Sequence, residues 1–262
     1  MMSDLLCIDI GNTNICAALM RDKILRAEIR IPSHPLLQTE DYTSAIRELL
    51  IKAKHRTENV QACIISSVVP QLTPAFIQVC KILYSKDPLI VDHTLPLDLT
   101  IRYDDPSEVG ADRICNAVGA LERYAAPIIV VDMGTATTFD VVSEQHEYLG
   151  GVIMPGLETA GRDLFERAAR LPKVQFDFPE KIIGTNTRES LQAGLMWGTI
   201  DQIDGLIERI CREWGKDKVS IIATGGLSTV IAAHSRHIRH VDKTLTLFGM
   251  ACIYEQLCGG NT

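Results

Sequence analysis

The chain has 262 residues, of which 46% are hydrophobic and 23% are charged, and its formal net charge at pH 7 is −7. This composition is ordinary for a globular protein with one large core or two small ones, and the negative charge argues against a nucleic-acid-binding protein. No apolar run approaches the ~18 residues of a membrane-spanning helix, so we expect no association with a membrane.

The first half of the chain carries alternating signals for strands and helices. Strands are predicted over residues 5–10, 15–20, 24–31 and 62–69, and helices over residues 42–54, 73–84 and 111–124. Arg21, Asp22 and Lys23 are expected to form a hairpin turn, and Thr39 or Asp41 is expected to cap the first helix. A polar, proline-bearing connector covers residues 95–108.

The second half begins again with a strand. Strands are predicted over residues 127–132, 137–142, 148–154 and 219–223, and helices over residues 157–170, 187–214, 227–233 and 245–257. The helix over residues 187–214 is long and amphipathic, because Leu191, Leu195 and Ile203 recur at helical spacing.

The N-terminus and the cysteines indicate the compartment. The stretch MMSDLLCIDI has no basic segment before its apolar residues, so it is typical of a core strand and not of a signal peptide. The eight cysteines form no CxxC pair, and most lie in apolar segments, as free thiols do in a reducing cytosol. We therefore expect a cytoplasmic protein.

One pattern occurs twice. The segments LLCIDIGNTN (5–14) and IIVVDMGTAT (128–137) each join an apolar strand to Asp-x-Gly and a β-prone segment. Asp9 and Asp132 are separated by close to half the chain, which suggests a duplicated domain. A pair of tight, capped turns between strands is the structural alternative.

The residue types of this pattern suit a phosphate site. An aspartate at the end of a parallel strand faces the crevice where α/β sheets bind ligands, and the glycine lets the backbone approach a phosphate. Backbone N–H groups and the side chains of Asn12, Thr13 and Thr135 can donate to phosphate oxygens. The carboxylate repels phosphate, so it must face a metal, its water shell or a donor.

The two Asp-Gly turns and the later turn Thr224-Gly225-Gly226 resemble the acetate kinase, sugar kinase, heat-shock and actin superfamily. The resemblance implies an α/β fold of two tandem actin-like (ribonuclease H-like) domains with mixed sheets flanked by helices. The N-terminal domain, residues 1–114, would hold the first phosphate loop. The C-terminal domain, residues 115–262, would hold the second phosphate loop and the adenosine turn.

Five further segments narrow the resemblance. They are SSVVP (66–70), LTIRYDDPSEVGADR (99–113), GADRICNAVGA (110–120), GGVIMPG (150–156) and GTNTRESLQAG (184–194). Together they resemble type III pantothenate kinases in the order that this family shows. The resemblance implies that ATP phosphorylates the primary hydroxyl of pantothenate to give 4'-phosphopantothenate, the first step toward coenzyme A.

The resemblance also implies roles for individual residues. The ATP-binding residues would be Asp9, Ile10, Gly11, Asn12, Thr13, Asn14, Ile15, Cys16 and Thr135. The pantothenate-binding residues would be Tyr103, Gly110, Ala111, Asp112, Arg113 and Thr187. Asp9 would face the water shell of the Mg²⁺ that accompanies ATP, and Asp132 would hold a monovalent cation, K⁺ or NH₄⁺.

Asp112 is the candidate general base and Arg113 the candidate partner of an anion. From the residues alone, the two could equally be a helix cap and a surface pair, and Tyr103 could be a packing tyrosine. The family is typically homodimeric, and the helix over residues 187–214, with Trp197 and Trp214, is a candidate interface. His234, His237 and His240 are expected to lie on a solvated face.

Two other functions stay open at this point. One is another small-molecule kinase of the superfamily, with a different acceptor. The other is a non-catalytic, nucleotide-binding transcriptional accessory factor.

Overall fold

Two mixed β-sheets organise the computed structural model, which describes residues 4–53, 60–168 and 170–259. The first half forms β1 (Asp4–Ile10), β2 (Asn14–Arg21), β3 (Ile24–Pro32), α1 (Thr39–Lys52), β4 (Val60–Ser67), α2 (Thr73–Tyr84), β5 (Leu89–Ile90), β6 (Thr100–Ile101) and α3 (Ala111–Arg123). The second half forms β7 (Ile128–Met133), β8 (Ala136–Val142), β9 (Glu147–Pro155), α4 (Leu157–Arg167), α5 (Thr187–Trp214), β10 (Ser220–Gly225), α6 (Ser228–Ala232), β11 (His240–Val241) and α7 (Leu245–Cys258).

The chain divides into two compact units. The first consists of Met1–Tyr124, Gln145–Leu149 and Thr244–Thr262, and the second consists of Ala125–Glu144 and Gly150–Lys243.

The first unit is built on the sheet β3-β2-β1-β4-β5. β1 pairs antiparallel with β2 and parallel with β4. The predicted hairpin joins β2 to β3 through Asp22 and Lys23, whose φ angles are 53° and 58°. Two left-handed residues give the turn whose twist matches that of the flanking strands.

One face of this sheet packs on α1 and α2. Leu6 and Ile8 of β1 share a buried cluster with Tyr42, Ile46 and Phe76. Side chains alternate between the two faces of a strand, so Cys7 lies on the other face, where its thiol is 4.0 Å from the carbonyl oxygen of Leu247 in α7. Both faces of β1 are therefore covered, which explains its continuous apolar run.

The second unit repeats this arrangement. Its strands run in the order β11-β10-β7-β8-β9, with β7 antiparallel to β8 and parallel to β10. Each central strand, β1 or β7, thus has a hairpin on one side and a parallel strand on the other, which confirms the internal repeat seen in the sequence. The short β6 pairs with Glu147 and Tyr148, the first residues of β9, which belong to the first unit.

The units do not meet at the predicted domain boundary between residues 114 and 115. That boundary falls inside α3, and all of α3 and α7 belong to the first unit. The physical reason is a close helix contact. A Cβ atom on Gly119 would lie 2.8 Å from the carbonyl oxygen of Leu245, and one on Gly249 would overlap the carbonyl oxygen of Cys115.

Smaller differences concern helix ends. The N-cap of α1 is Gln38, and Asp41 lies in the first turn, where its Oδ2 accepts from the Gln38 N–H at 3.1 Å. The predicted end of that helix, residue 54, lies outside the described residues. α4 ends at Arg167, short of the predicted residue 170, and residue 169 is likewise not described. Among the described residues, no helix is both long and apolar enough to cross a membrane.

The glycine contact between α3 and α7 yields a stability prediction. We expect Gly249→Ala to lower the free energy of unfolding by about 1–3 kcal/mol, because the added methyl group forces the two helix backbones apart. The measurement is the Tm of the purified protein.

Gly205→Ala is the matched control, since a Cβ there meets nothing within 4 Å in α5. It should stabilise the protein by about 0.5–1 kcal/mol through helix propensity. An unchanged Tm in Gly249→Ala would contradict the close contact.

Candidate functional site

The first predicted phosphate loop connects β1 to β2. Asp9 pairs with Cys16 and Ile10 with Ile15, which leaves residues 11–14 as the connection. The Gly11 N–H donates to the carbonyl oxygen of Asn14 at 3.0 Å, which closes the turn. Asn12, Thr13 and Asn14 are exposed, so their polar side chains are available to a ligand.

Ser33 braces this loop from behind. It is fully buried, its Oγ donates to the Gly11 carbonyl oxygen at 2.6 Å, and its N–H donates to the Thr13 carbonyl oxygen at 2.9 Å. Tying two carbonyl groups inward fixes the loop backbone. Sequence reasoning missed Ser33, since nothing local connects it to a loop some 20 residues earlier.

Asp112 lies at the start of α3, beside the end of β4. Gly110 is the N-cap, and the Arg113 N–H donates to Asp112 Oδ1 at 2.8 Å. A Cβ atom on Gly110 would lie 2.6 Å from that oxygen and 3.3 Å from Val68 Cγ1, so only glycine fits. Burial raises the pKa of the Asp112 carboxyl, and the Arg113 N–H opposes this shift without cancelling it.

Arg113 and Tyr103 both lie beside the ring of a third residue, Tyr148. The Arg113 side chain is 6% exposed, and its guanidinium carbon lies 5.7 Å from the ring centre of Tyr148. The rings of Tyr103 and Tyr148 are 6.1 Å apart. Arg113 is therefore an interior cation beside an aromatic ring, and the surface pair considered from sequence is ruled out. Sequence reasoning missed Tyr148.

The second predicted phosphate loop connects β7 to β8. Asp132 pairs with Thr138 and Met133 with Thr137, so residues 134–136 form a connection one residue shorter than the first. The Gly134 N–H donates to the Ala136 carbonyl oxygen at 3.0 Å. Thr135 is exposed at the tip of this loop.

Two residues at the start of α4 hold Thr135. Its carbonyl oxygen accepts from the Gly156 N–H at 3.1 Å and from Thr159 Oγ1 at 2.7 Å. A Cβ on Gly156 would lie 2.7 Å from the same oxygen, which accounts for the glycine that ends GGVIMPG.

The Thr224-Gly225-Gly226 turn packs directly on Asp132. Gly225 has φ +89°, and a Cβ there would lie 2.7 Å from Asp132 Oδ1 and 2.5 Å from the Met133 carbonyl oxygen. Ser228 Oγ donates to the Gly225 carbonyl oxygen at 2.7 Å. The glycine therefore lets the turn lie in close contact with the Asp132 carboxylate and the Met133 carbonyl oxygen. A small cavity lined by Gly134, Leu157, Leu227 and Ile231 lies nearby.

The predicted site residues thus fall into two groups. The first unit holds the loop after Asp9 together with Tyr103, Gly110, Ala111, Asp112 and Arg113. The second unit holds Asp132, Thr135 and Thr187, with Thr187 exposed as the first residue of α5.

The aromatic and histidine residues near α5 pack against one another. His234 stacks on Phe178 with ring centres 3.7 Å apart, and Trp197 meets Phe178 edge-on at 4.7 Å. His237 Nε2 lies 3.0 Å from Glu208 Oε1. In the described residues, no group of three or more His, Cys, Asp and Glu could hold a metal ion.

Comparison with known proteins places the chain in a family. A family model described as type III pantothenate kinase matches residues 5–209. A type III pantothenate kinase of Finegoldia magna is 42% identical over 253 residues, covering 96% of this chain and 97% of the relative. One from Halalkalibacterium halodurans is 38% identical and covers 96% and 99%.

Solved structures share the fold at lower identity. A Campylobacter jejuni protein assigned to the Baf family of transcriptional activators has a TM-score of 0.62 at 20% identity, covering 97% of this chain and 99% of that one. MreB5 of Spiroplasma citri bound to AMPPNP has a TM-score of 0.53 at 11% identity, covering 100% and 98%. These likenesses confirm the two mixed sheets flanked by helices, a fold that hosts different activities.

The buried Asp112 carboxyl yields a pH prediction. A carboxyl whose pKa is raised by folding destabilises the folded state when ionised. This cost is present when the pH lies above the pKa of Asp112 in the folded state, and it disappears below the ordinary aspartate pKa of 3.8. We expect Asp112→Asn to have a higher Tm than the parent at pH 7, and the difference to shrink as the pH falls.

The control is Asp201→Asn, because Asp201 is exposed on α5. Its Tm should differ from that of the parent only by the small amount typical of surface substitutions. A lower Tm for Asp112→Asn at pH 7 would mean that the ionised carboxylate stabilises the fold.

Proposed function

This chain belongs to the type III pantothenate kinase family, and we propose that Asp112 is the general base of its reaction. The chain is a pantothenate kinase, which transfers the γ-phosphoryl group of ATP to the primary hydroxyl of pantothenate. The product is 4'-phosphopantothenate, and the reaction is the first step toward coenzyme A. The family match assigns the acceptor that the fold alone leaves open among small-molecule kinases.

The burial of the Asp112 carboxyl carries the proposed role. A base must accept the hydroxyl proton as the oxygen attacks the γ-phosphorus, and a raised pKa strengthens its affinity for that proton. The Arg113 N–H at 2.8 Å fixes one carboxylate oxygen, which keeps the side chain in one orientation. An oriented carboxylate at the start of a helix can meet the hydroxyl repeatedly in the same geometry.

Arg113 is proposed to bind an anion, either the pantothenate carboxylate or the transferring phosphoryl group. Packing beside Tyr148 pre-organises its planar guanidinium, so little side-chain entropy remains to be lost on binding. Tyr103, Gly110, Ala111 and Thr187 are proposed as the other contacts to pantothenate.

The two loops are proposed to bind the phosphates of ATP. Residues Asp9 to Cys16 and Thr135 offer backbone N–H groups and exposed amide and hydroxyl donors, and neither loop contains a lysine. Phosphate charge must therefore be neutralised mainly by bound cations. Mg²⁺ would supply this neutralisation at the β- and γ-phosphates, with Asp9 facing its water shell.

Asp132 is proposed to hold a monovalent cation, K⁺ or NH₄⁺. Asp132 Oδ1 and the Met133 carbonyl oxygen lie close together beside Gly225. Carboxylate and carbonyl oxygens are ligands that suit hard cations, so the donor set fits the ion. The adjacent Thr224-Gly225-Gly226 turn is proposed to lie near adenosine.

We further propose a cytoplasmic homodimer. All eight cysteines are free thiols, which suits a reducing compartment. Ile153, Ile182 and Ile183 of the second unit are 61%, 63% and 80% exposed, and exposed large apolar side chains suit a protein interface. Trp197 instead packs on Phe178 and His234 within its own unit.

The first test measures ADP release from ATP and Mg²⁺ with and without pantothenate, in potassium and then in sodium. We expect release to require pantothenate and potassium. Asp132→Ala should weaken ATP use and flatten the response to potassium, because the cation loses its carboxylate. A potassium response that survives in Asp132→Ala would place the cation elsewhere.

The second test concerns the base. Asp112→Asn should lower turnover by about 10²- to 10⁴-fold, because a general base contributes roughly that much, while ATP binding stays intact. Single-turnover kinetics measures the rate of phosphoryl transfer, and calorimetry measures ATP binding. Together they separate a lost base from a lost ATP site. Asp201→Asn is the matched control, and near-parental turnover in Asp112→Asn would remove Asp112 from this role.

A further inference from the structure

A buried serine of β4 contacts the first loop aspartate. Ser66 is fully buried, and its Oγ donates to Asp9 Oδ1 at 2.9 Å. Ser66 and Asp9 are also direct partners in the parallel pairing of β4 with β1. Their side chains therefore share one face of the sheet, and the hydrogen bond joins neighbouring strands at their carboxyl ends.

The end of β4 lies beside the helix that carries Asp112. Cys115 is fully buried in α3, one helical turn after Asp112, and the Ser66 hydroxyl is among the polar groups near its thiol. Burial raises the pKa of the Cys115 thiol, and the nearby carboxylates of Asp9 and Asp112 raise it further, so the sulfur keeps its proton.

The repeat places a hydroxyl in the equivalent position of the second unit. Thr224 is the direct partner of Asp132 in the parallel pairing of β10 with β7, and it is 2% exposed. Each loop aspartate thus has a buried Ser or Thr opposite it on the neighbouring parallel strand. Neither hydroxyl belongs to the Asp-x-Gly pattern that revealed the repeat.

We propose that Ser66 is a positioning residue for this kinase reaction. Its hydroxyl fixes Oδ1 of Asp9, which sets the plane of the carboxylate and so the direction in which Oδ2 meets the magnesium water shell. The inference rests on the proposed role of Asp9.

The variant Ser66→Ala tests the inference through a split between two substrates. Loss of one hydrogen bond to a charged group predicts a fall of about 10- to 100-fold in kcat/KM for Mg-ATP, with a raised Mg²⁺ requirement. The KM for pantothenate should change by no more than about twofold, because the contacts of Tyr103 and Arg113 are untouched. Ser66→Thr keeps the hydroxyl and should recover most of the loss.

Ser67→Ala is the matched control on the same strand. The Ser67 hydroxyl accepts from Thr73 Oγ1 at 2.8 Å and from the Val69 N–H at 3.2 Å. It therefore stabilises the turn between β4 and α2. Ser67→Ala should leave the Mg²⁺ requirement unchanged. Thermal unfolding of every variant identifies loss of the fold, and Ser66→Cys, close in size, replaces Ser66→Ala if alanine is not tolerated.

Four outcomes overturn the proposal. Equal losses for Mg-ATP and pantothenate would indicate a structural role only, and no recovery in Ser66→Thr would exclude the hydroxyl as the cause. If Ser66→Ala keeps the parental kcat/KM for Mg-ATP while Asp9→Asn loses its Mg²⁺ response, the positioning role of Ser66 is overturned. The proposed role of Asp9 would stand in that case. If Asp9→Asn itself keeps a normal Mg²⁺ response, the proposed role of Asp9 fails, and the role of Ser66 fails with it.

Discussion

The central strand of each sheet ends in an aspartate, and the two neighbours of that strand determine what surrounds the carboxylate. On one side a hairpin turns back within three or four residues, which brings backbone N–H groups and polar side chains to the carboxyl end of the strand. On the other side a parallel strand places a buried hydroxyl residue in register, Ser66 or Thr224. Glycines at 11, 156 and 225 allow these backbones to approach so closely. The proposed binding of phosphate depends on this single arrangement, formed once in each unit.

The net charge of this protein does not favour the binding of an anionic substrate, so local groups must stabilise the phosphate charge. With a net charge of −7 and no lysine in either loop, the chain gains no long-range attraction for ATP, so phosphates must be met by dipoles and bound cations. Arg113 is buried beside Tyr148, and Asp112 is held close to it at a helix start where ionisation is costly. Asp112, the proposed base, therefore carries a stability cost in the absence of substrates, which is common at sites arranged for catalysis.

Much of this could be predicted from sequence, and the failures have physical causes. The apolar stripe of α5 and the continuous apolar runs of β1 and β7 are local signals, and they gave these elements nearly to the residue. The Asp-x-Gly repeat located both loops for the same reason. Ser33, Ser66 and Tyr148 were missed because each acts through pairing between distant segments, which no local pattern encodes. The predicted domain boundary cut α3 because its partner, α7, lies more than a hundred residues later in the chain.

The return of the C-terminal helix to the first unit has a consequence for biosynthesis. Cys7 of β1 faces Leu247, and Gly119 of α3 contacts α7, so the sheet that carries the first loop lacks one covering layer until α7 leaves the ribosome. Domains that are continuous in sequence can fold as soon as they emerge. Here the N-terminal half must wait with an exposed apolar face while the second unit is translated. A nascent chain that is halted early thus carries the complete first loop and the Asp112 helix, yet lacks the helix that packs against β1 and α3.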